Sequence, residues 1–437
     1  MSYVRRIFLD NWFGMLCALC VIAYMQTRLI GEDYLLYGWD AQYYYSLAHS
    51  MAFDADLDIT NNLLDCPGKV SYDWDGDGTF EQAPKLPSGQ FTSKYPMGLS
   101  VFEYPFLQIG RLLRHIAVGA GWQTGSPWGY SRLEMSTVFL GLLLLFCHAM
   151  QLMYRLLTLH FSGWKVAIAL LLAWGGTSMF FFTSIMMFMA HAAAFTCLTW
   201  IWVIWLKFRE KPTPFLVILL AVLFGLLFWI RPQQILLLFP LALASSQPFL
   251  TTIRHQWWGW LAGIGVGLFM LLIQAYVYSR CQGYWTLFAY GATEERFSLL
   301  RPAWYIVLFG VDCGWFWHSP IVVFSLIGVL FRHAKLPPGS TAMLVHMLVQ
   351  LYLVMTWSSP YQGYTFGCRM VSESMGIIAV GILVLFSLPY LRWLAIFASI
   401  ICVIWTFTLI QLDYYNQWAL NPLNHLEILS EVVGYWR

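Results

Sequence analysis

The sequence predicts an all-α polytopic membrane protein with about eleven transmembrane helices (roughly 10–13). Three observations predict it. The 437 residues are 59% hydrophobic and 11% charged, where a soluble domain carries about 25% charged residues. Apolar runs near the ~20 residues that cross a bilayer recur along the whole chain. Lys and Arg gather in alternate short connectors, as they do on the cytoplasmic side of a repeatedly crossing chain. A net charge of +2 argues against a nucleic-acid partner.

The first span is expected over 12–30. Arg5 and Arg6 precede it and no signal-peptidase site follows, so it is read as a retained helix. Further spans are expected over 133–154, 163–182, 187–206, 213–230, 233–248, 257–278, 318–332, 341–357, 371–389 and 392–411. The stretch 98–117 carries Glu103, Pro105, Gln108, Arg111, Arg114 and His115. If it crossed, Arg155, Lys165, Lys207, Arg209, Lys211, Arg254, Arg332, Lys335 and Arg392 would not share the inner side with Arg5 and Arg6. It is therefore read as an amphipathic helix in the outer interface. A single membrane domain, 1–437, results, with its N-terminus inside and its C-terminus outside. The large first outer loop is 31–132, the second is 279–317, and 412–437 is an outer tail. Short segments at 181–188, 230–232 and 357–370 also face out, whereas the inner connectors are all short. Chemistry therefore belongs on the outer face, where ATP and nucleotide sugars are absent; no GxxxxGK[ST] loop occurs either. No pair of matching interrupted helices, the mark of an inverted-repeat transporter, is visible.

Asp40 opens the polar segment, in Gly38-Trp39-Asp40-Ala41-Gln42-Tyr43-Tyr44-Tyr45. In a helix, Asp40, Tyr43, Tyr44 and Ala48 fall on one side. A carboxylate at a membrane surface suits a base acting on a half-lipid substrate; a plain helix N-cap is the competing reading. Glu32 and Asp33 compete for the same role. Asp73, Asp75 and Asp77 with Gly78 and Glu81 resemble the first half of a calcium loop, with Pro84 where the closing Glu would stand. The bland alternative is an Asp/Gly turn. Calcium there would order the loop rather than react.

Lys94, in Lys94-Tyr95-Pro96-Met97-Gly98, is placed to meet a phosphate or simply to snorkel. Arg231, before Pro232, and Arg369, after Gly367-Cys368, lie at membrane depth, where ionisable groups are costly and point to function. Their fork geometry matches phosphate; the alternative is pairing with a carboxylate such as Glu373. His191 and His318 sit near the outer interface, either as site residues or as satisfied structural donors. The nine cysteines form no CxxC. Cys66, Cys281, Cys313 and Cys368 fall in outer segments, so a disulfide is open there without an assignable pairing.

Taken in order, these segments resemble one family. The run Asp40-Ala41-Gln42-Tyr43-Tyr44-Tyr45, Lys94-Tyr95-Pro96-Met97-Gly98, His191, Arg231-Pro232, the stretch Leu308 to Pro320 and Tyr364-Thr365-Phe366-Gly367-Cys368-Arg369 resembles bacterial GT-C class polytopic glycosyltransferases, the protein O-mannosyltransferase-like and aminoarabinose-transferase-like enzymes. The resemblance implies a polyprenyl-phosphate sugar donor at the outer face of a bacterial inner membrane. It implies Asp40 as catalytic base, Arg369, Arg231 and Lys94 on the donor phosphate, and an acceptor that is a glycan, lipid or protein of the cell envelope. Tyr43, Tyr44, His191, His318 and Tyr364 would line the substrate cavity. Two departures stand out: the first loop carries one acidic residue where many relatives have an Asp-Glu pair, and no sizeable soluble domain follows the last span. A flippase or transporter of lipid-linked sugars is the alternative; it needs no base, and its charges belong at mid-span rather than at one face.

Overall fold

The computed structural model describes residues 12–26, 39–66, 71–72, 81–82, 85–122, 126–289, 296–331, 336–362 and 366–416, with Glu427 and Ser430. Its regular structure is helical apart from one antiparallel pair, β1 Ser71–Tyr72 with β2 Glu81–Gln82. The helices are α1 Trp12–Gln26, α2 Trp39–His49, α3 Thr60–Asp65, α4 Gly98–Gly119, α5 Arg132–Thr158 and α6 Gly163–Gly175. Next come α7 Met179–Ser184, α8 Ala190–Glu210, α9 Pro214–Ile230, α10 Leu238–Ala244, α11 Ser246–His255 and α12 Trp257–Gln282. The chain closes with α13 Trp304–Phe309, α14 Trp315–His318, α15 Ile321–Phe331, α16 Ser340–Thr356, α17 Met375–Phe386 and α18 Arg392–Asn416. Two 3-10 segments, Pro232–Leu237 and Arg369–Ser374, lead into α10 and α17.

Among the described residues, five helical segments are long and apolar enough to cross a membrane, or six if the bent pair of helices between 232 and 255 is one span. Five more apolar helices of 10–17 residues accompany them. The protein is an integral membrane protein. The helix surfaces agree: α12 exposes Leu261, Ile264, Leu268 and Leu272, and α18 exposes Trp393, Leu394, Phe397, Ile401 and Ile404. Apolar stripes at these spacings are unsupported in water and suit lipid. By contrast α8 and the 369–386 segment are mostly buried and form the centre of the bundle.

Several expected boundaries are corrected. The span expected over 163–182 is split into α6 and α7 at Gly175-Gly176-Thr177, where the Thr177 hydroxyl donates to the Ala173 carbonyl at 2.8 Å. The span expected over 233–248 is broken into a 3-10 turn and two helices. Ser245 stands at the break between α10 and α11, its hydroxyl donating back to the Leu241 carbonyl at 2.7 Å. The 98–117 stretch, expected as an amphipathic helix, is a helix, α4. Ile109, Leu112, Leu113 and Ile116 point outward, while Glu103, Leu107 and Arg114 are buried. Arg114 turns inward to Glu134, 2.8 Å away, and Glu134 also closes a capping box with Ser131 that starts α5. No disulfide forms: all nine cysteines are free thiols. Burial pushes the Cys313 thiol up to about 12.

His49 ties α2 to the segments at 62 and 128. Its Nε2 donates to the Trp128 carbonyl at 2.7 Å, and its Nδ1 accepts from the Asn62 amide at 2.9 Å. The bond at Nδ1 requires the neutral ring, since a protonated Nδ1 could not accept. Burial lowers the His49 pKa from its ordinary 6.5, against the opposing effect of the Trp128 bond. A depressed histidine favours folding above the unfolded value and loses that contribution as pH falls through the folded value. The thermal midpoint of the protein is therefore expected to fall as pH drops below about 6.5, and His49→Gln to flatten that slope. An unchanged slope in the variant would assign the pH dependence elsewhere.

Candidate functional site

The site is assembled from five distant segments, four delivered by a local device and the fifth, His191, by the start of α8. Asp40 lies in the first turn of α2, where the helix dipole favours a negative charge. Residues 41–49 of α2 are all buried, so the expected one-sided face of Asp40, Tyr43, Tyr44 and Ala48 is not set apart by burial. Arg231 caps the end of α9 in an extended conformation, because the residue before a proline is forced out of the helical region. Arg369 opens the 3-10 turn before α17. The turn before it needs Gly367, which has φ +63° and sits where an added Cβ would lie 3.2 Å from the His318 Cβ. The Lys94–Gly98 segment is pressed onto the end of α9. A Cβ on Gly98 would lie 2.4 Å from the Ile230 nitrogen and from the Trp229 carbonyl carbon. Gly98→Ala is thus expected to push Lys94 and Tyr95 away from Arg231. The cost should be about 1–3 kcal/mol of stability with loss of function, read as a lowered thermal midpoint; an unchanged midpoint and activity would show that the contact yields freely.

Asp40 and Arg369, 329 residues apart, form an ion pair with Nη1 to Oδ2 at 2.9 Å. The Tyr95 hydroxyl donates to the other Asp40 oxygen at 2.6 Å. Tyr43 and Tyr44 both pack on the Tyr95 ring, each at 5.2 Å between centroids, so they brace the hydroxyl that holds Asp40. The Asp40 side chain keeps 20% of its surface exposed and Arg369 11%, so the pair is reachable from outside. Burial pushes the Asp40 carboxyl up, yet Arg369, the Tyr95 hydroxyl, Lys94 and His191 together hold it below the ordinary carboxylate value. Lys94 also lies over the Tyr95 ring, 5.9 Å from its centroid.

A second, deeper ion pair lies alongside. Glu373 Oε1 is 2.9 Å from Arg231 Nη1 and 3.0 Å from His191 Nδ1. Arg231 Nη1 in turn lies 2.8 Å from His191 Nδ1, and its Nη2 meets the Met370 sulfur. In the orientation that satisfies its neighbours, the Gln233 amide oxygen accepts from Arg231 Nη2 and Nε at 3.2 Å. Carboxylate pairing thus occurs at both arginines, but Glu373 serves Arg231, and Arg369 takes Asp40 instead. Two cation–carboxylate pairs, one partly exposed and one buried, hold both guanidinium groups aimed and nearly neutralised.

His318 is placed differently. It is buried, donates from Nδ1 to the Gly314 carbonyl at 3.0 Å and meets the Phe366 ring edge-on at 5.0 Å. It braces the 366–369 turn. Tyr364, Glu32, Asp33 and the calcium candidates Asp73, Asp75 and Asp77 lie outside the described residues; Glu81 is described as part of the β2 backbone. Among the described residues, no group of three His, Cys, Asp or Glu side chains is arranged to hold a metal. Sequence reading passed over Tyr95 as a partner of Asp40, although it is the neighbour of Lys94 in the same motif. It also missed Ser372, whose hydroxyl lies 3.1 Å from His191 Nδ1.

No family model matches the chain, and no curated protein matches it. Its functional reading therefore stands on the convergence of Asp40, Tyr95, Lys94, His191, Arg231, Arg369 and Glu373 at one place in the bundle.

Proposed function

We propose that this protein is a membrane glycosyltransferase of the GT-C type, with about eleven spans (roughly 10–13) and its active site facing the exterior. It would transfer a sugar from a polyprenyl-phosphate donor to an acceptor hydroxyl on an envelope glycan, lipid or protein. The observation that carries this reading is the Asp40–Arg369 pair, a base candidate and a phosphate-binding candidate held 2.9 Å apart with outside access.

In the proposed reaction the acceptor oxygen attacks the anomeric carbon and its proton passes to Asp40. The bond from the anomeric carbon to the phosphate oxygen breaks, and the polyprenyl phosphate leaves with the electron pair. Arg369, with Arg231 and Lys94, stabilises the charge that grows on that phosphate. The resting pair supplies an order of events. Donor phosphate draws Arg369 from Asp40, and the carboxylate, freed of its main counter-ion, becomes a stronger base. Tyr95 holds its other oxygen in place meanwhile. Asp40 is also a stabilising group: its depressed pKa adds stability above the ordinary carboxylate value, lost as pH falls below that value.

The test is transfer in detergent from a panel of radiolabelled polyprenyl-phosphate sugars with an acceptor extract, wild type beside Asp40→Asn, with and without EDTA. Label leaving the carrier with wild type alone supports the reading, names the sugar and reports metal dependence. Carrier-bound label that no protein moves, with the chain folded, turns the reading toward a flippase. A second expectation concerns pH. Arg369→Met removes the cation that offsets burial at Asp40, so the acid limb of the transfer–pH profile should move to higher pH. A limb that stays put belongs to another group.

A further inference from the structure

A small buried cavity lies behind the second ion pair, between α5, α8, α16 and the start of α17. It has a volume of about 20 Å³, and Met153, Phe195 and Met343 form part of its wall. A water molecule needs about 10–15 Å³ on this measure and 2–4 polar partners. Three lining residues supply partners: Glu373, Thr199 and His346 are at least 97% buried, with relative exposures of 3%, 1% and 3%. Each has a buried polar atom without a hydrogen-bond partner: Glu373 Oε2, Thr199 Oγ1 and His346 Nδ1.

Their donor and acceptor roles are complementary to one ligand. Glu373 Oε2 belongs to a carboxylate ion-paired through Oε1 with Arg231, so it accepts. His346 Nε2 lies 2.6 Å from the Gln234 amide oxygen and must donate to it, which leaves Nδ1 a bare acceptor. Two acceptors and one hydroxyl therefore line one cavity. We propose that this cavity binds a single structural water molecule, which donates its two protons to Glu373 Oε2 and His346 Nδ1 and accepts from the Thr199 hydroxyl. The water completes the hydrogen bonding of a buried carboxylate whose other oxygen is already committed. It ties the arginine site at the end of α9 to α8 and α16. This assignment is independent of the transferase reading.

Two measurements test it. A structure of the full chain crystallised in lipid, at a resolution that resolves waters, should contain one peak within hydrogen-bond distance of all three atoms. A cavity without density overturns the proposal, as does a peak that gains anomalous signal on soaking with thallium(I), which would make it a monovalent cation site. The second measurement turns on a sign. An unpartnered buried hydroxyl is a cost, so removing it by Thr199→Val would raise the thermal midpoint. A hydroxyl bonded to the water is a gain, so Thr199→Val should lower the midpoint by a few degrees, with Thr199→Ser close to wild type. A midpoint that rises or does not move in the valine variant rejects the water-bonded hydroxyl.

Discussion

Asp40→Asn is expected to lose at least about 100-fold in transfer rate, the low end of what a positioned general base contributes, while the protein still folds and expresses. Asparagine has the shape of aspartate but cannot take up a proton at neutral pH. Its amide can still receive the Tyr95 hydroxyl, which donates to Oδ1 at 2.6 Å in the wild type. The exposed fraction of both side chains lets water take the place of the lost charge contact. Activity and folding are therefore separable at this residue. Initial rates and thermal midpoints from the same preparation make the comparison, and full activity in the variant would remove Asp40 from the mechanism.

Glu373→Ala is expected to have the largest effect on stability. Glu373 is 1% exposed on its side chain and Arg231 9%. Removing one partner of a buried ion pair costs about 3–5 kcal/mol, because the other charge is stranded. Against a total stability of ~5–15 kcal/mol, that loss should cut the yield of folded protein sharply. The double variant Arg231→Met/Glu373→Leu should recover much of the stability, since it buries no charge, and still fail to transfer sugar. Fluorescence-monitored melting of the three proteins separates these effects. A single variant within about 1 kcal/mol of wild type would mean that Arg231 relaxes to water and that the pair is not a structural anchor.

The helical, membrane-embedded character was legible from composition and hydropathy, because a helix that crosses lipid announces itself by a continuous apolar run. The breaks were harder to see. Gly175-Gly176-Thr177 and Ser245 divide expected spans through local hydrogen bonds that hydropathy does not register. The inward turn of Arg114 reflects Glu134, a partner 20 residues away. In the site, Asp40, Arg231, Arg369 and His191 were each conspicuous as polar groups in apolar surroundings. Their pairing was not, since Asp40 meets Arg369 across 329 residues and His191 meets Glu373 across 182. No periodicity links positions so far apart. Glu373 was visible as a carboxylate near Arg369, yet it lies along the same turn, and its Oε1 is committed to His191 and Arg231. Tyr95 was hidden by its neighbour, because a lysine draws the eye to phosphate before a tyrosine draws it to a carboxylate.

The span of the Asp40–Arg369 pair has a consequence for biosynthesis. During translation the acidic residue emerges long before its partner has been made. Until residue 369 is delivered, the nascent chain holds a carboxylate without its counter-ion and the Lys94–Gly98 strap without the arginine that completes the cluster. A chain released early therefore lacks the Asp40–Arg369 pair altogether. Only a chain extended past residue 373 can assemble both ion pairs, so the order of residues along the chain itself acts as a check on completeness.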